Sequence, residues 1–348
     1  MKKENRFFIL SSKQYTDYYP LQVVYEWEQV IADTLNIPLD FESFPMVAAK
    51  FDNKINQQVQ KGIRNSFLKK HIDSSFNYFK RHKKHQYLVS FLLNPIPISN
   101  HYIYQQNAVV ILLDVFANTI DQIPVLFKNK LIFVTNIEVM QYFENHPVKK
   151  QLRYIPLSIS DEYYSVNVPK KKIDVIQVGR QNVVLHDWML KVVVKHPEIE
   201  YVYAKMEDGV NVYFSTKRGI LKEDTRTRAA FMSFLGSAKI SLLSAPGIDG
   251  GENIRTGGYN PVTPRFYESA VNYCYMIGRF PDSADFVENQ VSSVCERPAD
   301  YEEFESTVLH MIDTPFDRQK AYGPFIKEHL TSTIAQKMKI ELDKLEAI

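Results

Sequence analysis

Ile240-Ser241-Leu242-Leu243, then a glycine-rich loop, then Asn260-Pro261-Val262-Thr263-Pro264-Arg265-Phe266-Tyr267-Glu268-Ser269-Ala270-Val271, then Tyr275-Met276-Ile277, is the stretch from which the fold is read. It runs strand, loop, helix, strand, the unit of a parallel sheet. Thr263 stands where an N-cap belongs, and its hydroxyl is expected to accept a first-turn N–H. Pro264 follows at the first helical position, where a missing N–H costs nothing. Such a helix opens with free N–H groups and a positive dipole end, and Arg265 adds a cation in the same turn, which suits a phosphate. Glu268 lies one turn on, on the same face, where a carboxylate can accept from paired sugar hydroxyls. Two readings stay open from spacing alone: a nucleotide grip, or an ordinary i,i+3 salt bridge between Arg265 and Glu268.

The same alternation extends outward. In the second half, Ile173–Val178 reads as a strand turning out through Gly179-Arg180. A helix carrying Trp188, Leu190, Val193 and Val194 follows, then strand Tyr201–Tyr203 and a helix over about 225–235. In the first half, residues 6–10, Tyr87–Leu93, Val109–Leu113, Leu131–Val134 and Leu152–Leu157 read as strands. A helix with Val23, Val24, Trp27 and Val30 follows the first, and a short helix reaching about Phe143 follows the fourth. Near-continuous apolar strands alternating with helices predict parallel sheets covered on both faces. The basic, proline-marked connector Val166–Lys172 divides two such units. The expected organisation is residues 1–165 as one Rossmann-like domain and 166–325 as a second. Residues 326–348 are a helical segment, read as crossing back to the first domain.

Whole-chain properties narrow the class. The 348 residues are 45% apolar and 24% charged, with a formal net charge of +2, ordinary for a globular protein and no reason to invoke nucleic acid. Two cysteines, Cys274 and Cys295, sit in no metal-ligand spacing, and a reduced, cytoplasmic protein is expected. Phe7-Phe8-Ile9-Leu10 is too short for a signal peptide, and no window approaches a membrane span. Between Lys54 and Lys84 nine basic residues face one acid, Asp73, with Ile55, Val59, Ile63, Phe67, Phe76 and Phe79 interleaved. This reads either as a surface for an anionic membrane or phosphorylated acceptor, which would make the protein peripheral at the membrane's inner face, or as a solvated helix face.

Several polar residues fall at strand carboxyl ends, where ligands of doubly wound folds bind. Gly179 permits a tight turn and Arg180 supplies a forked cation suited to a diphosphate. The loop from Ser244 to Gly258 brings Gly247, Gly250, Gly251 and Arg255, a further phosphate candidate. It carries neither a P-loop nor a GxGxxG pattern, which disfavours a kinase or nicotinamide enzyme. Asp114 ends the third strand, either as a polar candidate for a ligand site or as a capping residue.

Ile176-Gln177-Val178-Gly179-Arg180 resembles the strand ending in Gly-Arg of group 1 and CgeB-like glycosyltransferases with the two-domain GT-B architecture. Val262-Thr263-Pro264-Arg265-Phe266-Tyr267-Glu268-Ser269-Ala270 resembles their TxRxxEa helix start, and Leu152–Ile159 the segment closing their first domain. The resemblance implies an α/β, GT-B-like fold of two doubly wound Rossmann-like domains facing a central cleft, with residues 1–165 as the acceptor-side domain and 166–325 as the nucleotide-sugar-binding one. It implies transfer of a sugar from a nucleotide-diphosphate-sugar donor to a glycan, lipid-linked or other glycoconjugate acceptor, as in polysaccharide biosynthesis, with retained configuration. Gly179, Arg180, Arg255, Thr263, Arg265 and Glu268 become the donor-binding set, with Arg180, Arg265 and Asp114 as catalytic candidates, no metal, and no cofactor besides the donor. Two departures stand out: Asn260 occupies the position of the family's first glutamate, and Leu185-His186 the region of its lysine. They motivate an alternative, a non-catalytic GT-B-like subunit that scaffolds a partner transferase. A nucleotide-sugar epimerase is a third reading.

Overall fold

The computed structural model describes residues 6–11, 13, 21–41, 87–93, 108–121, 123, 131–179, 181–207, 210–221, 225, 227–250, 256–314 and 318–346. Arg180, Arg255 and the basic stretch 54–84 lie outside these residues. No described helix is long and apolar enough to cross a membrane.

The first unit comprises β1 (Phe7–Ser11), α1 (Gln22–Leu35), β2 (Leu39–Phe41), β3 (Tyr87–Leu93), β4 (Ala108–Leu113), β5 (Leu131–Val134), α2 (Ile137–Tyr142) and β6 (Leu152–Tyr154). Its sheet has the order β2-β1-β3-β4-β5-β6, parallel throughout. Every residue of β4 and β5 is buried, because helices cover both faces. The strand expected over 152–157 stops at Tyr154, two residues before Pro156.

The second unit comprises β7 (Ile173–Gln177), α3 (Val183–Lys195), β8 (Tyr201–Glu207), β9 (Val210–Ser215), β10 (Gly219–Leu221), α4 (Arg228–Gly236), β11 (Ala238–Ser244), α5 (Pro264–Val271), β12 (Tyr275–Arg279), α6 (Ala284–Glu288) and β13 (Cys295–Glu296). Three helices follow: α7 (Tyr301–Asp313), α8 (Arg318–Glu328) and α9 (Thr331–Glu346). Strand order is β10-β9-β8-β7-β11-β12-β13. From β8 to β13 the sheet is parallel, while β9 and β10 extend it as an antiparallel hairpin that the strand-helix reading had not anticipated. In α3 the sheet-facing residues are Leu185, Met189 and Val192, set one helical turn apart, and Val194 is 81% exposed rather than part of the apolar face.

The architecture is therefore two doubly wound α/β units, a GT-B-like arrangement. Two chain crossings join them. Outbound residues Ser158–Ser160 and returning residues His329–Thr331 run side by side, with Ile159 N–H donating to His329 O (2.9 Å) and Thr331 N–H to Ile159 O (2.9 Å). Trp27 Nε1 anchors this crossing by donating to Ser158 O at 3.0 Å. Beyond it, α9 packs against α1, placing Ile334, Met338 and Leu342 in one core with Phe7, Ile9, Trp27 and Ile31.

The carboxyl edges of the two sheets face one another. Loops that leave β4 and β5 meet loops that leave β11 and β12: Ala117 N–H donates to Thr256 O (3.1 Å), Asn260 N–H to Glu138 Oε2 (3.1 Å), and Ile137 N–H to Asp285 Oδ1 (3.0 Å).

Candidate functional site

In the second sheet the order reverses at β7, which has β8 on one side and β11 on the other. The crevice beyond such a switch point is where an open α/β sheet receives a ligand. Gly179 stands just past the end of β7 with φ +75, a left-handed conformation that favours glycine. A β-carbon built on it would lie 3.5 Å from Arg265 Nε, so the guanidinium rests directly over this turn. Arg265 also stacks on the Phe231 ring, 4.4 Å from its centroid. The strand end at Gly179 and the cation-bearing helix start, far apart in sequence, thus converge at the switch point.

Thr263 occupies the N-cap of α5 with extended backbone, but its side chain makes no cap hydrogen bond, contrary to the sequence expectation. The cap contact that does form is from backbone, Phe266 N–H to Thr263 O at 3.2 Å.

Glu268 is buried, and both of its oxygens are engaged: Oε2 accepts from Arg265 Nη1 and Oε1 from Arg228 Nη1. The i,i+3 pair considered from spacing therefore forms, with its carboxylate buried and its guanidinium partly open. Burial alone would raise the Glu268 pKa. The two guanidiniums outweigh it and hold the carboxyl below its ordinary range. Arg228 opens α4 and reaches across the unit boundary to Glu26 of α1, with Nε donating to Oε2 at 3.2 Å. Tyr163 O–H donates to the other Glu26 oxygen at 2.6 Å. Glu26 is shifted the opposite way from Glu268: its burial wins over Arg228, and its pKa is raised. Arg228 Nη2 is buried without a hydrogen-bond partner among the described residues.

Asn260 braces the loop. Its Oδ1 accepts Gly247 N–H (2.9 Å) and its Nδ2 donates to Gly258 O (2.8 Å). The loop's base is held by Asp249, which takes a forked pair from Arg279 (2.6 and 2.8 Å) and a hydrogen bond from Asn182 Nδ2 (2.8 Å). Arg279 lies over Trp188, 5.3 Å from that ring.

Asp285 clasps the two units. Its Oδ1 accepts Ile137 N–H, and its Oδ2 accepts Val262 N–H (3.1 Å) just before α5. Burial pushes its pKa up to about 6, against the lowering effect of those two N–H groups, and nearby Glu138 adds to the rise. Burial also raises Glu138, the acceptor for Asn260 N–H.

Asp114 follows β4 with φ +51 and is partly buried. Three residues on, Ala117 makes the contact with the Thr256 loop. The structure thus brings Gly179, Arg265, Glu268 and the Thr263 helix start together in the second unit and leaves Asp114 on the first. No group of three or more His, Cys, Asp or Glu with metal-binding potential occurs among the described residues. Sequence reading missed Arg228, Glu26, Glu138 and Asp285. Arg228 and Glu26 are 202 positions apart, and each looks like an ordinary helix charge when read locally.

No protein-family model matches this sequence, and no curated protein matches it. Solved structures of similar layout exist. A chain of the GtfA/B complex superposes with TM-score 0.49 at 14% identity, over 78% of this chain and 60% of that one, so the present chain spans less than two thirds of it. A putative UDP-N-acetylglucosamine 2-epimerase from Listeria monocytogenes gives 0.48 at 8% identity, over 97% and 96% of the two chains. The glycotransferase of kitacinnamycin gives 0.47 at 9% identity, over 97% and 99%. These are likenesses of layout and assign no activity; the architecture rests on the strand orders themselves.

Proposed function

We propose that the protein is a glycosyltransferase that takes its sugar from a nucleotide-diphosphate-sugar and passes it to a glycan, lipid-linked or other glycoconjugate acceptor. The observation that carries this reading is Arg265 lying over the Gly179 turn, beside the α5 N-terminus, at the switch point that faces the other unit. Glycine lets a diphosphate approach the backbone, while the arginine and the helix end supply the opposing charge. When the sugar–phosphate bond breaks, negative charge grows on the departing diphosphate, and preorganised cations there lower the barrier. Arg180, next to Gly179, would be the second cation, with Arg255 and Thr263 completing the donor set. Glu268 would orient the ribose by exchanging one guanidinium bond for sugar hydroxyls. Acceptor entry from the Asp114 side, retained configuration, and action in the cytoplasm at the membrane's inner face belong to the same proposal.

A second reading, a non-catalytic subunit that scaffolds a transferase, is favoured by two observations: both Glu268 oxygens are paired with arginines, and Asn260 is bound up in its own loop. The discriminating experiment is a thermal-shift series with uridine, guanosine and thymidine diphosphates, followed by a donor panel monitored for transfer or hydrolysis. Stabilisation with turnover that falls in Arg180→Ala and Arg265→Ala supports the transferase. Stabilisation with no turnover on any donor supports the scaffold. No stabilisation by any nucleotide refutes both.

A further inference from the structure

Glu26, Arg228, Glu268 and Arg265 form a chain of alternating charge that starts in the first unit and ends over the Gly179 turn. Arg265 is the only one of the four with a substantially open side chain, 31% exposed against 2% for Glu268 and 10% for Arg228. A buried carboxylate beside a single arginine neutralises it, and an ion pair of that kind has little net charge left for an anion. Glu268 has two arginines. The interior one, Arg228, can neutralise Glu268 from behind and leave the charge of Arg265 directed outward. Glu26 draws on Arg228 from the far side, but that carboxylate is partly satisfied by the Tyr163 hydroxyl.

We propose that Arg228 is a positioning residue for the donor site: it neutralises the buried Glu268, so that Arg265 keeps its positive charge for the diphosphate. This rests on the donor-site reading given above. Arg228 meets no ligand in this scheme; it acts through Glu268 on Arg265. Because its other partner is Glu26 of α1, the charge available at the donor site is coupled to the contact between the two units.

The test measures affinity for the three nucleoside diphosphates and for inorganic pyrophosphate, which lacks the ribose that Glu268 would contact. Titration calorimetry is run on wild type, Arg265→Ala, Arg228→Met, Arg228→Lys and the double variant Arg228→Met/Glu268→Gln, each shown to be folded by circular dichroism. Arg228→Met leaves Glu268 with Arg265 alone, and diphosphate binding is expected to weaken tenfold or more, about the effect of losing one nearby charge. Arg228→Lys keeps the charge and is expected to stay within about threefold of wild type, despite losing the fork. The double variant removes the carboxylate together with its counter-cation and is expected to recover most of the lost pyrophosphate affinity, since taking out both members of a buried pair avoids a stranded charge.

A purely structural role for Arg228 predicts the opposite pattern, with Lys as harmful as Met and the double variant no better than the single. Either that pattern or undiminished binding in Arg228→Met overturns the inference, while a loss in Arg265→Ala keeps the donor site standing. If Arg265→Ala binds as wild type does, or wild type binds none of the probes, the donor-site reading falls and this inference falls with it.

Discussion

Replacing Asp285 with asparagine tests the interface in a way that separates charge from shape. Its carboxylate joins the units by accepting Ile137 N–H on one oxygen and Val262 N–H on the other. Its pKa is raised from the ordinary carboxyl value of 3.8 to about 6, first by burial and then by Glu138, against the two N–H groups. For an acid the sign follows directly. The folded protein binds this proton more tightly than the unfolded chain, so the linked stabilisation is complete below the unfolded value and is lost as pH rises through about 6. Between about pH 7.5 and about pH 5, integrating over one site gives wild type a gain of about 1.4 kcal/mol that the asparagine variant lacks. Asparagine also turns one acceptor into a donor facing an N–H, at a cost of about 1–3 kcal/mol that does not depend on pH. The measurable quantity is therefore the change in the wild-type-to-variant difference: the variant should be penalised about 1.4 kcal/mol more at about pH 5 than at about pH 7.5. Glu138 titrates in both proteins, and its coupling to Asp285 is part of the measured difference. Urea unfolding followed by tryptophan fluorescence is suited to this, because Trp27 reports the first unit and Trp188 the second. A difference that stays the same at the two pH values would show that Asp285 ionises as an ordinary carboxylate, and the clasp as described would be wrong.

Two other perturbations follow from the packing. Gly257 has φ +60, and a β-carbon there would sit 2.7 Å from the Ala117 side chain, whereas Gly250 has φ +72 and open space around it. Gly257→Ala should therefore cost about 1–3 kcal/mol more than Gly250→Ala in thermal unfolding, and equal effects would show that the loop does not dock on the first unit. Ending the chain at Leu330 removes Ile334, Met338, Leu342 and Leu345 from the first unit's core, each worth about 1.5–3 kcal/mol of burial. Their sum is comparable to a whole domain's net stability of about 5–15 kcal/mol, so the truncated chain should lose its soluble yield; a wild-type thermal midpoint would refute that.

Much of the layout was legible because it is local. The buried runs Val109–Leu113 and Leu131–Val134 could only be interior strands, and Gly179 announced a turn after β7. Proline at the first position of α5 marked its start correctly, although the Thr263 hydroxyl did not take up the cap. The antiparallel strands β9 and β10 escaped although Asp208-Gly209, two residues between β-prone runs, is a hairpin signal; β10 itself is only three residues long. Within α3, an apolar residue at 194 suggested a core position, but the helical period turns Val194 outward.

Local sequence thus determined the alternation of strands and helices, the two-unit division, and the concentration of glycine and arginine at strand ends. Backbone propensity and burial act over a few residues, so such features are written where they occur. Tertiary structure alone decided what each charge does. Glu268 has one partner three residues away, as spacing allowed, and another forty residues away that no spacing rule reaches. Glu26 joins that chain from the other unit, and Asp285 binds two backbone N–H groups from separate segments. A carboxylate's role depends on which cations and N–H groups surround it and how much water is excluded, and those are properties of chain segments brought together only by the fold.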